Sequence, residues 1–256
     1  MTETVLGSLG IVLGINLLGF LIAYKSKSDK LTDISYAVSF ISIGLFDLLR
    51  AKYINLYVIV GVWLVWIWAL RIGTYLLMRV IENKKDRRFD GVRENFKKFG
   101  MFWLGQAIAA WVLMIPLSFS VGHIATIKTL PLVGILIWII GLSIESLSDY
   151  QKSKFKSDPT NKGKWIDSGL WHYSRHPNYF GEILVWISIY TYTFSANTTT
   201  ERLIGLISPV FIALLLILVS GIPPLEQSAD KRWGDKPEYK RYKTRTSILI
   251  PFFNKH

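Results

Sequence analysis

The sequence predicts an all-α integral membrane protein of about seven transmembrane helices, with its N-terminus outside and its C-terminus in the cytosol. Three observations carry this. Hydrophobic residues make up 51% of the 256 and fall in long unbroken blocks, not in alternation with polar ones; a helix needs roughly 20 mainly apolar residues to cross a bilayer. Ten tryptophans and twelve tyrosines suit aromatic belts at the lipid headgroups. Lys and Arg are segregated: 25 fall in alternate inter-span segments and only Arg50, Lys52, Lys128 and Arg202 in the others, with Arg71 inside a span. The positive-inside rule turns that alternation into the stated orientation, and it favours an odd number of spans.

The spans are read in order as 4–24, 34–49, 55–78, 101–120, 130–148, 181–196 and 203–222. The first has Glu3 and no basic residue before it, and no small-residue cleavage site after it, so it reads as a span, not a removable signal. The second is short and carries Asp47. The fifth ends in the polar Glu145-Ser-Leu-Ser-Asp149. The sixth ends in a Thr-rich patch, which suits a tilted or protein-embedded helix. No repeat or linker interrupts the chain, so 1–256 reads as one domain.

The net charge of +12 follows from positive-inside bias, or serves an anionic cofactor as well. A chain this deeply embedded is not expected to bind nucleic acid. It has no cysteine, which excludes disulfides and thiolate chemistry. Its four histidines, His123, His172, His176 and His256, lack metal-ligand spacing, so no catalytic metal is expected. There is no Gly-x-Gly-x-x-Gly and no strand–helix alternation, which excludes a Rossmann cofactor site.

Ionisable residues inside spans cost about 2.5–3.5 kcal/mol each at mid-bilayer, so each invites a functional reading. Trp68, Arg71, Tyr75 and Arg79 recur at spacings of three and four, on one helix face. That face suits the bundle interior or a wet cleft, although Arg79 alone could snorkel to the headgroups. Glu145 and Asp149 share a face at the end of the fifth span; they either take a partner or are solvated there. Negative charge at a helix C-terminus is unfavourable, which favours a partner. The densest cluster is Asp167-Ser-Gly-Leu-Trp-His-Tyr-Ser-Arg-His-Pro-Asn-Tyr-Phe-Gly-Glu182. It crowds Arg175, His176, Asn178, Tyr179 and Glu182 at the entrance of the sixth span. A helix start presents free N–H groups that suit a phosphate or carboxylate; a purely structural cap is the plainer alternative.

The segment Gly169–Glu182 resembles the signature of the bacterial relatives of steroid 5-alpha-reductases, a group similar in its C-terminal half to sterol carbon-14 reductases. The resemblance extends through Trp68-Ala-Leu-Arg71, Asp86-Arg-Arg-Phe89, Glu145–Tyr150, Ser220–Glu226, Tyr239-Lys-Arg-Tyr242 and Ile250-Pro251. It implies a seven-span fold that uses NADPH to reduce a carbon–carbon double bond conjugated to a carbonyl in a steroid- or enone-like lipid. It further implies that 1–100 serves the lipid substrate and 101–256 the cofactor. By resemblance, Arg71, Arg79, Glu145, Asp149, Lys156, Lys164, Tyr173, Arg175, His176, Asn178, Tyr179, Glu182, Glu226, Tyr239 and Tyr242 bind NADPH. Where steroid reductases place a tyrosine against the substrate carbonyl this chain has Trp68, and the matching glutamate falls near Asp33. Asp33, Tyr36 and Tyr75 are therefore the catalytic candidates. A compact, Lys- and Ile-rich chain is expected in a bacterial inner membrane; eukaryotic relatives sit in the endoplasmic reticulum.

Two other readings stand beside this one. Membrane methyltransferases of the isoprenylcysteine carboxyl type, which use S-adenosylmethionine, resemble the chain at Arg175-His176-Pro177, Tyr179, Gly181, Glu226, Tyr239, Tyr242 and Pro251. Asn178, the Glu145/Asp149 pair and the Arg71/Tyr75/Arg79 face favour the reductase. A non-enzymatic lipid-binding membrane protein is the third reading.

Overall fold

A computed structural model describes residues 2–28, 30–83 and 91–253; the 86–89 stretch and His256 lie outside the described residues. Among those residues the chain is helical, and the one β-type pairing is an isolated bridge between Ser174 and Ser247. The first five helices are α1 (Thr2–Ser26), α2 (Lys30–Arg50), α3 (Leu56–Asn83), α4 (Phe96–Ser120) and α5 (Thr129–Ser157). Then come α6 (Leu170–Tyr173), α7 (Pro177–Thr193), α8 (Thr199–Gly205), α9 (Ile207–Leu214), α10 (Ile222–Trp233) and α11 (Pro237–Arg245).

Six stretches among the described residues are long and apolar enough to cross a membrane: Glu3–Ser26, Lys30–Arg50, Leu56–Val80, Phe96–Ser120, Thr129–Ser157 and Thr199–Trp233. The seventh expected span, 181–196, corresponds to α7. Its 17 residues reach only about 26 Å at ~1.5 Å per residue, short of the ~30 Å hydrocarbon layer. The last stretch is not one regular helix. Between α9 and α10 the backbone widens into a π-helical turn over Leu215–Val219, where the Ser220 N–H reaches the Leu215 carbonyl. Prolines at the start of α10 then restart the helix, where a missing N–H costs nothing.

The chain divides into two compact units. The first comprises Met1–Leu132 and Ile189–Ser208, the second Val133–Ser188 and Pro209–His256. In the first, α1, α2 and α4 pack on one another, α3 packs on α2, and α8 on α4. Polar side chains clamp them. The Asn16 Nδ2 donates to Ser39 Oγ (2.9 Å), and Gln106 Nε2 donates to Asn16 Oδ1 (3.1 Å) and to the Thr32 carbonyl (3.0 Å). Such bonds tie helices together where apolar burial gives little drive, because lipid tails are equally apolar. Asp47 is buried in α2 and accepts a hydrogen bond from Ser118 Oγ on α4 (2.8 Å), which explains how an acid is carried in a short span. Tyr57 and Tyr192 stack at 4.7 Å, each hydroxyl donating to the other's carbonyl.

In the second unit α5 and α7 cross backbone to backbone. A Cβ on Gly181 would lie 2.6 Å from the Gly141 carbonyl oxygen and from Glu145 N, and one on Gly141 would lie 2.9 Å from the Gly181 oxygen. The tryptophans correct the headgroup-belt expectation in part. Trp68, Trp103 and Trp186 are at most 2% exposed and serve as packing residues, their bulk filling inter-helix space.

Candidate functional site

The site grows from the polar end of α5. The helix continues past its apolar stretch to Ser157, with Lys154 and Lys156 in the last turn, where positive charge offsets the helix dipole. A 3₁₀ turn over Pro159–Asn161 follows, capped by Asp158, whose Oδ1 accepts from Thr160 N (2.9 Å) and Thr160 Oγ1 (2.8 Å). Those bonds hold the Asp158 carboxyl below the usual carboxylate range. The chain then returns towards α5. Gly169 (φ 62°) lies so close to Gln151 that a Cβ would meet its side-chain amide at 2.5 Å. Gln151 Oε1 accepts from Leu170 N (3.0 Å), and Trp171 Nε1 donates to the Ser148 carbonyl (3.0 Å). Lys152 Nζ sits 4.4 Å over the Trp171 ring.

The C-terminal segment clasps this loop. Tyr242 OH donates to the Trp171 carbonyl (3.0 Å), Thr246 Oγ1 to that of His172 (3.2 Å), and Ser174 Oγ to that of Leu249 (2.7 Å). Arg175 N donates to the Ser247 carbonyl (2.8 Å), and Arg175 Nη1 to that of Lys243 (2.9 Å).

Glu226 on α10 is the electrostatic hub. Its carboxylate meets Arg175 Nη2 (3.2 Å), His176 Nε2 (2.9 Å) and Lys243 Nζ (3.3 Å). Burial lowers the His176 pKa, the bond to Glu226 opposes that, and the charges of Lys152 and Arg175 lower it further. A neutral ring that donates Nε2–H to Glu226 presents Nδ1 as an acceptor. Burial would lower the Lys243 pKa, but the bond to Asp230 and the charge of Glu226 outweigh it and raise it. Burial also raises Tyr239 and Tyr242, which stay neutral phenols.

Arg175, His176, Glu226, Tyr239 and Tyr242 line a cavity of about 220 Å³. Its walls carry Lys152, Lys156, Lys164, Arg175 and Arg232 against the single carboxylate of Glu226, together with Trp165, Trp171, Trp233, Tyr239 and Tyr242. Trp165 lies 5.2 Å from Tyr239 and 6.1 Å from Trp233, ring centre to ring centre. Three buried nitrogens of lining residues have no hydrogen-bond partner among the described residues: Trp165 Nε1, Arg175 Nε and His176 Nδ1. Beside the cavity is a wider basin of about 620 Å³, sharing Phe155, Lys156, Lys164, Arg232 and Trp233 and adding Lys162 and Lys236. A polyanion with a flat ring fits these walls: cations for phosphates, aromatic faces for the ring, and orphaned buried polar nitrogens for its hydrogen bonds.

Of the residues expected to bind a cofactor, Lys156, Lys164, Arg175, His176, Glu226, Tyr239 and Tyr242 line this cavity. Glu145 and Asp149 are buried on α5, and Asn178, Tyr179 and Glu182 stand half-buried on the first turns of α7; none of the five lines it. Of these, Glu145 lies at the Gly141–Gly181 crossing, where a Cβ on Gly181 would meet its backbone N and its Cβ. Tyr179 stacks on His176 at 5.6 Å and 7°. Tyr173 is exposed and packs on Phe252. Arg71, Arg79, Asp33, Tyr36 and Tyr75 belong to the first unit. There Arg79 Nη2 lies 3.9 Å from Asp33 Oδ2, the Arg71 guanidinium stands 5.7 Å from the Tyr75 ring centre, and Tyr36 and Phe40 pack edge-on against the buried Trp68. Sequence reasoning missed Trp165, Trp171, Trp233 and Arg232. The signal was there, since Trp165 and Trp233 each adjoin a basic residue in a polar segment.

The fold and this site define a helical membrane protein with a basic, aromatic cavity on its polar face. The chain matches the family DUF1295, described as a protein of unknown function, over residues 19–246, and it belongs to that family. Neither the curated proteins nor the solved structures give a match.

Proposed function

We propose that this protein is an NADPH-dependent membrane oxidoreductase of the steroid 5-alpha-reductase type. It reduces a conjugated carbon–carbon double bond of a steroid- or enone-like lipid. The observation that supports this is the composition of the cavity: five cations and five Trp or Tyr rings against one carboxylate already engaged by Arg175, Lys243 and the His176 ring. In this reading the chain crosses a bacterial inner membrane seven times, α7 being the short, protein-embedded span, with the N-terminus outside and the cavity facing the cytosol.

The cofactor supplies a hydride when bound. Lys156, Lys164 and Arg232 would hold its phosphates, and the rings of Trp165 and Trp233 would offer faces for its adenine. Negative charge building on the lipid's carbonyl oxygen would need a hydrogen-bond donor, a contribution of about 3–4 kcal/mol. Asp33 is engaged by Arg79, so the phenols of Tyr36 and Tyr75 are the donors that need no change of charge.

One observation favours a second reading. Five of the residues the methyltransferase pattern shares, Arg175, His176, Glu226, Tyr239 and Tyr242, line the cavity, while its Pro177, Tyr179, Gly181 and Pro251 do not; Asn178 and the Glu145/Asp149 pair, which favour the reductase, do not line it either. Against it, S-adenosylmethionine carries a cationic sulfonium into a wall of lysines and arginines. Thermal stabilisation of the purified protein by NADPH, NADH and S-adenosylmethionine tests both. A ligand at 100 times its Kd adds about 2.7 kcal/mol. Stabilisation by NADPH supports the reductase; stabilisation by S-adenosylmethionine alone replaces it with the methyltransferase; no response to any of them leaves the lipid-binding reading.

A further inference from the structure

The C-terminal segment carries a feature the cofactor reading does not use. Over 247–252 it is alternating: Ser247 is buried, Leu249 and Pro251 are half-buried, and Ile248, Ile250 and Phe252 are exposed, followed by exposed Phe253. Phe252 adopts a left-handed backbone (φ 64°), rare for a residue with a Cβ, and its ring packs 4.5 Å from Tyr173, itself exposed. Ile248, Ile250, Phe252 and Phe253 are thus exposed along a segment whose Ser247 and Leu249 are stitched to the 171–175 loop.

The height of that face can be read from α5. The loop is pinned to Ser148 and Gln151 through Trp171 and Leu170. On α5 those residues mark the end of the apolar run, and beside them Leu147 and Tyr150 are exposed. An exposed leucine giving way to an exposed tyrosine and then to lysines is the pattern of a helix leaving hydrocarbon for headgroups. The apolar face of the C-terminal segment is therefore held at the level where α5 exits its apolar stretch. Just before it, α11 exposes Lys240, together with Arg241, which faces Glu238 at 3.7 Å, and Arg245, which faces Asp167 at 3.5 Å; a surface of this sign suits anionic headgroups.

We propose that residues 246–253 form an interfacial anchor: Ile248, Ile250, Phe252 and Phe253 enter the headgroup–acyl boundary of an anionic phospholipid bilayer, the one the chain's own spans occupy. The anchor fixes the loop that carries Arg175 and His176 at the membrane surface. It rests on the membrane reading alone and not on the choice of cofactor.

Because the chain has no cysteine, nitroxide labels can be placed singly on the full-length protein. Ile250→Cys and Phe253→Cys report the anchor and avoid the left-handed position. Glu238→Cys, exposed on α11, is the aqueous control, and Leu136→Cys, 59% exposed on α5, is the lipid reference. In nanodiscs of phosphatidylcholine and phosphatidylglycerol, labels at 250 and 253 should collide more with oxygen and less with a water-soluble nickel chelate than the label at 238. Nickel accessibility equal to that at 238 overturns the anchor. Shielding from both reagents also overturns it, because protein, such as a second copy, then covers the face. An aqueous signal at Leu136 overturns the membrane placement itself, and the anchor with it.

Discussion

Gly181→Ala tests the α5–α7 crossing on which the signature residues depend. The added Cβ would lie 2.6 Å from Glu145 N, 2.6 Å from the Gly141 oxygen and 2.8 Å from Glu145 Cβ. Ordinary contact begins near 3.4 Å, so the helices must part by most of an ångström, and two of the three opposing atoms are backbone that cannot swing aside. Overpacking of this kind costs about 1–3 kcal/mol. At roughly 2–4 °C per kcal/mol for a chain of this size, Tm should fall by about 2–12 °C. Gly105→Ala is the control. Nothing lies within 4 Å of its Cβ, and the helix-propensity gain of about 0.5–1 kcal/mol predicts an unchanged or raised Tm. A Gly181→Ala protein whose Tm matches wild type, with Gly105→Ala behaving alike, would refute the close crossing.

Further outcomes follow from the hub and its surroundings. Glu226→Ala leaves Arg175, His176 and Lys243 without their shared carboxylate; losing one partner of a buried pair costs about 3–5 kcal/mol, reduced here because Glu226 is partly exposed, and chemical denaturation should show it. His176 has its folded pKa lowered by burial below its ordinary 6.5, so the unfolded chain binds the proton first. The stability it contributes is complete above pH 6.5 and is lost as pH falls towards the folded value, and His176→Gln should flatten that limb of a Tm–pH curve. Lys162→Ala with Lys236→Ala removes two cations of the outer basin. At about 0.5–1 kcal/mol each, NADPH affinity should drop roughly five- to thirty-fold in low salt, and the effect should shrink in high salt.

Much of the fold was legible because a bilayer demands one thing of a span, and α1, α3, α4 and α5 supply it as unbroken apolar blocks. What was not legible depends on partners far along the chain. Asp47 marks α2 as a weak span, but the hydrogen bond it accepts from Ser118 Oγ, 71 positions away, makes it an interior residue. The final span read as continuous because Leu215–Val219 is as apolar as its neighbours; hydropathy cannot register that the backbone there widens to π geometry. At α7 the apolar pattern runs on towards Ala196 while the helix itself ends at Thr193.

The site shows the same division on a smaller scale. Residue types were readable: a helix entrance crowded with Arg175, His176, Asn178, Tyr179 and Glu182 announces chemistry. Which of them share a cavity was not, because that is decided by rotation about α7 and by the returning C-terminal segment. His176 and Tyr179 stack at the entrance, and His176, which lines the cavity, is held there by Glu226, 50 positions away. Asn178 and Glu182 stand on the same helix but outside the cavity walls. Tryptophan count alone suggests headgroup belts, yet Trp165 and Trp233 are set in polar, lysine- or arginine-bearing segments. An aromatic ring in such a segment needs cover, and packing against Tyr239 and Tyr242 provides it. Those rings, flanked by the lysines that made the face basic, give the cavity a character that neither the charge count nor the hydropathy carries alone.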